Sequence, residues 1–347
     1  MEADTRPTLA LALGDAAGIG AELAAKVLMD AEVRAAARFV VIGDRRLLAA
    51  GEATADVQVD LGSDAFVDLA NLDPDCVTAG EASELTGQAA LETFAAGLTI
   101  CRDGGADAVC FTPFNKYAMR LARPGYIDEI GFIQAVMQTD ADGAEFNVLD
   151  EFWNARVTSH VPLSGVAEMI TTDRVFERIR LTDQTMQGAG RPRPRIGVAA
   201  LNPHAGDGGN FGTEDDEIIT PAIRRAQEHQ INVSGPWPSD TVYLRASKGE
   251  FDVVLSMYHD QGQIAMKLIG FDRGVTLIGG FPFWIATPAH GTAYDIAGQG
   301  IANPQATKNA LLLAAKLAGA SGRAHATEET RRTAIDTVLS AHAQTAS

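Results

Sequence analysis

Short β-rich runs alternate with helical stretches through most of this chain, and that alternation constrains the fold more than any other feature. Leu9–Leu13 is a compact apolar run ending at Gly14. A glycine-rich turn follows, Gly14-Asp15-Ala16-Ala17-Gly18-Ile19-Gly20, and after it Ala21–Met29 has helical composition. Strand, glycine turn and helix in that order open an α/β unit. Phe39–Gly43 reads as a second buried strand, and Ala108–Phe111 as another, preceded by the helical run Gly87–Arg102. Val157–Ser159, Ile196–Ala200 and Val253–Met257 repeat the pattern, and most of these runs lead into a polar or glycine-rich loop. Such alternation predicts largely parallel sheets covered by helices. Ligands of those sheets bind beyond the carboxyl ends of the strands, where the unusual residues of this chain lie.

A chain of 347 residues is long for one compact core, so two α/β domains are expected. Apolar residues make up 46% of it, ample for two cores, and the formal net charge is −17. A surface this acidic repels nucleic acid and anionic membranes, which removes both as expected partners. Cys76, Cys101 and Cys110 form neither a disulfide framework nor a CxxC pattern, and read as small hydrophobes. No apolar stretch approaches the roughly 20 residues of a membrane span. The start, MEADTRPTLALALGDAAG, is a poor secretory signal, so the expected location is the cytoplasm. Residues 1–7 read as a polar tail, 306–320 as a helix, and 321–347 as a polar, partly helical end. No linker rich in Pro or Ser divides the chain, so the domain boundary is expected to cross strands.

Three of the seven histidines follow predicted strands directly or within a few residues: His160 in VTSH, His204 in ALNPH and His259 in SMYHDQG. One such histidine is ordinarily a hydrogen-bonded loop or core residue. Three in equivalent positions can converge on one cleft, and neutral imidazole is a common ligand of divalent transition metals. HExxH is absent, so a zinc-peptidase reading has no support. His229, His325 and His342 sit in polar segments and are expected to be solvated. The loop around His204, LNPHAGDGGNFG, has the glycines for a close approach to a ligand. Lys267, in the apolar stretch QIAMKLIG, is either a lysine with a buried stem and a wet head or a desolvated proton-transfer group.

These motifs carry a resemblance. LNPHAGDGGNFG, then GPWPSDTV, then MYHDQGQIAMKLIGFDRGV are similar to the 4-hydroxythreonine-4-phosphate dehydrogenase family of vitamin B6 synthesis. GDAAGIGAEL looks like that family's GDPxGIGPE opening, with Ala16 and Ala21 in place of two prolines. FTPFNK (111–116) looks like its TGPxNK loop and VTSH like its VTTH, so the match runs from about residue 8 to residue 320. The resemblance implies two domains with an active-site cleft between them, here 1–120 plus 290–347 on the cofactor side and 121–289 for metal binding and dimerisation. It implies a homodimer with a shared site for a divalent metal: zinc, or another ion such as magnesium, manganese or cobalt. The implied ligands are His160 and His204 of one subunit with His259 of a second. Lys267 and Asp260 are the implied catalytic groups, and Asn115 and Lys116 candidate substrate or cofactor contacts.

HGTAYDIAGQGIANP (290–304) is similar to the cofactor loop of the isopropylmalate and isocitrate dehydrogenases. Carried over by position, Asp295 would accept hydrogen bonds from the ribose hydroxyls and Asn303 would meet the adenine, with His290 and Gly291 beside them. A carboxylate pairs with a 2′-hydroxyl and repels a 2′-phosphate, so NAD is expected over NADP. There is no GxGxxG fingerprint.

The chain departs from the family at its substrate-contacting residues. The stretch aligned with GHTE reads Asp128-Glu129-Ile130-Gly131, the Asn after RGV is Thr276, and the Arg of PFIRTS falls at Ile285. Isoleucine cannot bind phosphate as arginine does, and a bare carboxylate at Glu129 would repel an anion. The expected activity is therefore NAD-linked oxidation, with decarboxylation, of an unphosphorylated hydroxy acid. Relatives such as the terephthalate dihydrodiol dehydrogenases act on carboxylated cyclic cis-diols, and Phe283 and Trp284 would suit a ring or serve as core. The alternatives are 4-phosphohydroxythreonine oxidation proper, decarboxylation or isomerisation alone, and a non-catalytic metabolite-binding protein on the same scaffold.

Overall fold

The computed structural model describes residues 5–270 and 272–345. Part of the expected N-terminal tail, residues 1–4, and the last two residues of the C-terminal segment lie outside the described residues. The chain folds as two compact units, Met1–Asp142 with Phe281–Ser347, and Gly143–Gly280. These units divide at 142/143 and 280/281, not at the expected 120/121 and 289/290.

The first unit contains β1 (Thr8–Ala12), α1 (Gly20–Leu28), α2 (Ala31–Ala36), β2 (Arg38–Gly43), α3 (Arg45–Ala55), β3 (Ala65–Asp68), α4 (Glu84–Arg102), β4 (Ala108–Phe111), α5 (Lys116–Ala122) and α6 (Glu129–Met137). The second contains β5 (Ala144–Val148), β6 (Trp153–Arg156), α7 (Val166–Met169), α8 (Thr172–Gly188), β7 (Ile196–Ala199), α9 (Thr220–Glu228), β8 (Val233–Trp237), α10 (Ser239–Ser247), β9 (Val253–Ser256), α11 (His259–Gly270) and β10 (Val275–Gly279). The chain then returns to the first unit as β11 (Trp284–Pro288), α12 (Gln305–Ala320) and α13 (Glu328–Thr345).

In the first unit the strands run in the order β3-β2-β1-β4-β11, and every pairing is parallel. All five residues of β1 are buried, which explains a strand written as an unbroken apolar run rather than an alternating one. A capping box closes the start of α4, with the Ser83 hydroxyl accepting from Thr86 N–H at 3.1 Å. Its Phe94 is fully buried and stacks against Phe132 of α6, ring centroids 5.7 Å apart. That contact holds residues 129–137 in the first unit and explains the shifted boundary.

In the second unit the order is β10-β5-β6-β9-β7-β8. The β6, β9, β7 and β8 pairings are parallel, whereas β10 with β5 and β5 with β6 are antiparallel. The sheet is largely parallel, as expected, with those two antiparallel pairings the exceptions. Val157–Ser159 is not a strand: the ladder of β6 ends at Arg156, because the aligned run begins earlier, at Trp153.

Candidate functional site

The second unit brings two of the three predicted metal histidines together. Beyond the ends of β6 and β9 the backbones stay joined. Val157 N–H donates to Ser256 O at 2.8 Å and Thr158 N–H to Met257 O at 3.1 Å, and the Thr158 hydroxyl reaches the same carbonyl at 2.8 Å. This extension carries His160 and His259 side by side, ring centroids 5.5 Å apart. Two imidazoles on one tetrahedral zinc, with Zn–N near 2.0–2.1 Å, have centroids about 5 Å apart, so the spacing fits a shared ion. Asp260 Oδ1 lies 2.6 Å from His259 Nδ1. A carboxylate there fixes the tautomer that presents Nε2 to a metal, the usual outer support of a histidine ligand.

His204 does not join that pair. Among the described residues no group of three or more His, Cys, Asp or Glu side chains is placed to hold a metal. Its loop runs through consecutive positive-φ residues, His204 (54°), Ala205 (56°), Gly206 (80°), Asp207 (45°), Gly208 (63°) and Gly209 (92°). Asp215 holds the entry, accepting Leu201 N–H at 2.8 Å and Asn202 N–H at 3.0 Å. The implied ligand set, His160 and His204 of one subunit with His259 of a second, is not assembled within one chain; within it the extended β6–β9 pairing puts His259 next to His160.

The other second-unit predictions fare differently. Lys267 is exposed on α11 rather than desolvated, because the apolar residues around it face outward too. Thr276 is tied into a polar network that sequence reading missed. Asn147 Nδ2 donates to its hydroxyl at 3.4 Å, while Asn147 Oδ1 accepts from Arg156 at 3.2 Å and from Gln263 at 2.8 Å. Buried Arg156 also pairs with Glu145. Gln263 is one turn beyond His259 in α11, so this network seats the helix that starts with the histidine. The signal for it was a short strand, WNAR, that carries both Asn154 and Arg156.

In the first unit Asn115 caps α5, its Oδ1 accepting Tyr117 N–H at 2.9 Å and Ala118 N–H at 3.0 Å. Lys116 Nζ lies 2.8 Å from the Glu129 carboxylate, which is only 9% exposed. The carboxylate at Glu129 is thus neutralised, not bare as expected. Ile130 is half-buried beside it. Ile285 is completely buried in β11, paired with Val109 of β4. Its side chain belongs to the core and is not a substrate contact. Phe283 is also buried, and Trp284 half-buried.

The segment 290–304 is mostly irregular. Asp295 and Gly291 are exposed, and a Cβ at Gly291 would meet nothing within 4 Å. His290 Nδ1 lies 3.0 Å from Gly291 O, and its Nε2 is buried without a hydrogen-bond partner among the described residues. Asn303 Oδ1 accepts Gln305 N–H at 3.0 Å at the start of α12. The remaining histidines are not simply solvated. His342 contacts Leu69 O at 2.8 Å, His229 contacts Arg225 O at 2.8 Å, and His325 lies 3.5 Å from Asp107.

This fold and these relatives define a dehydrogenase acting on a CH–OH group. The profile of the family described as pyridoxal phosphate biosynthetic protein PdxA matches residues 35–314, and the chain belongs to that family. It is 52% identical over 328 residues to a Rhizobium meliloti protein provisionally named 4-hydroxythreonine-4-phosphate dehydrogenase 2, covering 91% of this chain and 94% of that one. It is 35% identical to a D-threonate 4-phosphate dehydrogenase of Cupriavidus necator, covering 91% of this chain and 98% of that one. Among solved structures, a 4-hydroxythreonine-4-phosphate dehydrogenase of Klebsiella pneumoniae superposes with a TM-score of 0.79 at 30% identity, covering 90% and 98% of the two chains. A terephthalate 1,2-cis-dihydrodiol dehydrogenase of Burkholderia xenovorans gives 0.62 at 29% identity, covering 89% and 98%.

Proposed function

We propose that this chain is an NAD-linked, divalent-metal-dependent dehydrogenase of a phosphorylated four-carbon hydroxy acid, of the threonate or hydroxythreonine 4-phosphate kind. The observation that carries the metal part is the His160–His259 pair with Asp260 behind it. His204, which lies apart from the pair within one chain, is proposed as the third ligand of a site completed by a second copy. The relatives' names favour a phosphorylated substrate over the unphosphorylated acid expected from the aligned substitutions. Two observations weaken that earlier expectation. Ile285 is a core residue, so it does not report a lost ligand contact, and Glu129 is neutralised by Lys116.

When bound, the metal supplies Lewis acidity for the substrate hydroxyl and NAD supplies the hydride acceptor. The chain's own residues do the rest. Asp260 orients His259, and exposed Asp295 accepts from ribose hydroxyls, favouring NAD over NADP. His290, Gly291 and Asn303 line the same segment. Asn115, Lys116, Glu129, Ile130 and Thr276 stay proposed as the substrate side, and Lys267 as the proton-transfer group. Oxidation at carbon 3 of such an acid yields a β-keto acid, which loses carbon dioxide. The cytoplasm is the proposed location, on the strength of three cysteines without a disulfide among the described residues.

A homodimer is proposed as well. Helix α11 exposes Ile264 (62%) and Leu268 (83%), four residues apart on one face of the helix. Apolar residues grouped in this way mark an association face, and a second copy would cover Lys267 on the same helix.

The test is NADH formation with D-threonate 4-phosphate, 4-phosphohydroxythreonine and a carboxylated cyclic cis-diol, before and after chelation. Turnover of a phosphorylated acid that chelation abolishes and zinc or manganese restores is the expected result. Preferential use of the diol, or turnover indifferent to chelation, would refute the reading.

A further inference from the structure

The glycine-rich turn between β1 and α1 has no part in the reading above, yet it holds a buried carboxylate. Asp15 is 1% exposed. Its Oδ1 accepts Ala17 N–H at 2.9 Å, and its Oδ2 accepts the Tyr294 hydroxyl at 2.5 Å. The Thr86 hydroxyl also faces Asp15, and the Asn115 side chain faces the Tyr294 hydroxyl. These partners are neutral donors, and burial pushes the Asp15 carboxyl above its ordinary value. A buried carboxylate is tolerated only when its oxygens are hydrogen-bonded, so the Tyr294 hydroxyl is a costly partner to lose.

Tyr294 belongs to the segment 290–304 and directly precedes Asp295. That segment has little structure of its own: one short 3-10 turn, Tyr294–Ile296, with Ala293 in a left-handed conformation before it. Its order comes from the turn beneath. Ile19 N–H donates to Thr292 O at 3.1 Å. A Cβ at Gly18 would meet Thr292 at 2.8 Å, so only glycine allows this approach. Ala293 and Ile296 pack on Ile19, Leu23 and Ala302.

We propose that the Tyr294–Asp15 hydrogen bond clamps the segment 290–304 in its NAD-binding form, making Tyr294 a positioning residue for the cofactor. The inference rests on the reading that this segment takes NAD. Tyr294 acts through Asp295 and its neighbours, which the clamp holds in place before NAD arrives. A segment that must be ordered on binding lowers affinity by the fraction of time it is competent.

Tyr294→Phe keeps the ring and removes the hydroxyl. Three measurements follow: NAD affinity by calorimetry, hydrogen exchange across 290–304 in the ligand-free protein, and steady-state kinetics. The expected results are NAD binding about tenfold weaker, faster exchange confined to 290–304 and residues 14–20, and a raised KM for NAD with kcat within about twofold. Asp15→Asn, which keeps an acceptor but not the charge, is expected to shift affinity and exchange the same way by less. Unchanged NAD affinity and unchanged exchange in Tyr294→Phe would overturn the clamp. Wild-type protein that binds no NAD would instead overturn the cofactor reading, and the clamp's purpose with it.

Discussion

Gly87 gives the sharpest test of how the first unit positions its candidate substrate residues. It lies in the first turns of α4, where a Cβ would stand 2.0 Å from the Ala118 carbonyl oxygen, 2.3 Å from its carbon and 2.8 Å from Met119 N. All three are backbone atoms of α5, so no side chain can swing away. Alanine there gains about 0.5–1 kcal/mol in helix propensity over glycine. Against this, the Cβ is more than an ångström inside ordinary contact, and overpacking of this kind costs about 1–3 kcal/mol. Because the overlap is with backbone, the upper half of that range applies. Gly87→Ala is therefore expected to destabilise by about 1–2.5 kcal/mol net, lowering the melting temperature by roughly 1–4 °C for a chain of this length. Helix α5 begins at Lys116 and is capped by Asn115, so its retreat also separates Lys116 from Glu129. Thermal unfolding and the KM for the acid substrate, measured together, check both parts. A variant that melts higher than wild type, as propensity alone would give, refutes the argument.

Two further outcomes concern the second unit. Ala205 sits at φ 56° in the His204 loop. A left-handed non-glycine residue costs roughly 1–2 kcal/mol and glycine's extra freedom about 0.5–1. Ala205→Gly should therefore be neutral or stabilising by up to about 1 kcal/mol by calorimetry, while Gly209→Ala, at φ 92°, should destabilise; a clear loss of stability in Ala205→Gly would contradict the backbone described. Asp252 accepts hydrogen bonds from Arg195 N–H, the Arg195 guanidinium and Arg191, and Arg195 holds its carboxyl below the usual range. A lowered folded value means stability that is fully present above the ordinary carboxylate value and lost as pH falls through the lowered one. Asp252→Asn should cost about 1–2 kcal/mol at pH 7, with the gap to wild type closing below about pH 4 in urea titrations, and a gap that widens in acid would refute the assignment.

Much of this molecule was legible in the sequence because its strands are buried on both faces. β1, β2, β4, β7 and β9 are unbroken apolar runs, and each was located to within a residue or two. The strands that escaped notice are of another kind. β3 (AFVD), β5 (AEFNV), β6 (WNAR) and β8 (VSGPW) carry polar, glycine or proline residues, and β10 and β11 are close together, only four residues apart. Polar, glycine or proline residues interrupt the continuous apolar signature of a strand buried on both faces. At the site, the histidines were legible because they follow strands, but their partners were not. Glu129 is thirteen residues from Lys116, on a different helix, and nothing in local spacing announces the ion pair. The burial of Ile285 was equally hidden: aligned against a motif it looks like a lost arginine, whereas in β11 it is one more core residue.

Backbone strain adds a signal that no composition carries. Of the nine described non-glycine residues with left-handed φ, four (Asp56, Ala70, Gln138 and Gln230) lie elsewhere, Asp56 and Gln138 as helix C-caps; the other five are His160 (30°), His204 (54°), Ala205 (56°), Asp207 (45°) and Ala293 (44°). These five fall in the three segments singled out for chemistry: the turn after β6, the loop after β7 and the segment 290–304. Such conformations cost of order 1–3 kcal/mol each and persist only where surrounding structure over-determines them. Here that structure can be named. The Val157 and Thr158 hydrogen bonds to β9 and its continuation hold the first, Asp215 holds the second, and Asp15 with Tyr294 holds the third. Each anchor is a residue with no expected contact to metal, cofactor or substrate. Thr158→Val, Asp215→Asn and Tyr294→Phe, which remove or weaken side-chain anchors only, should therefore lower metal or NAD affinity, read by calorimetry, by more than they lower the melting temperature, because what they release is a strained segment rather than a core.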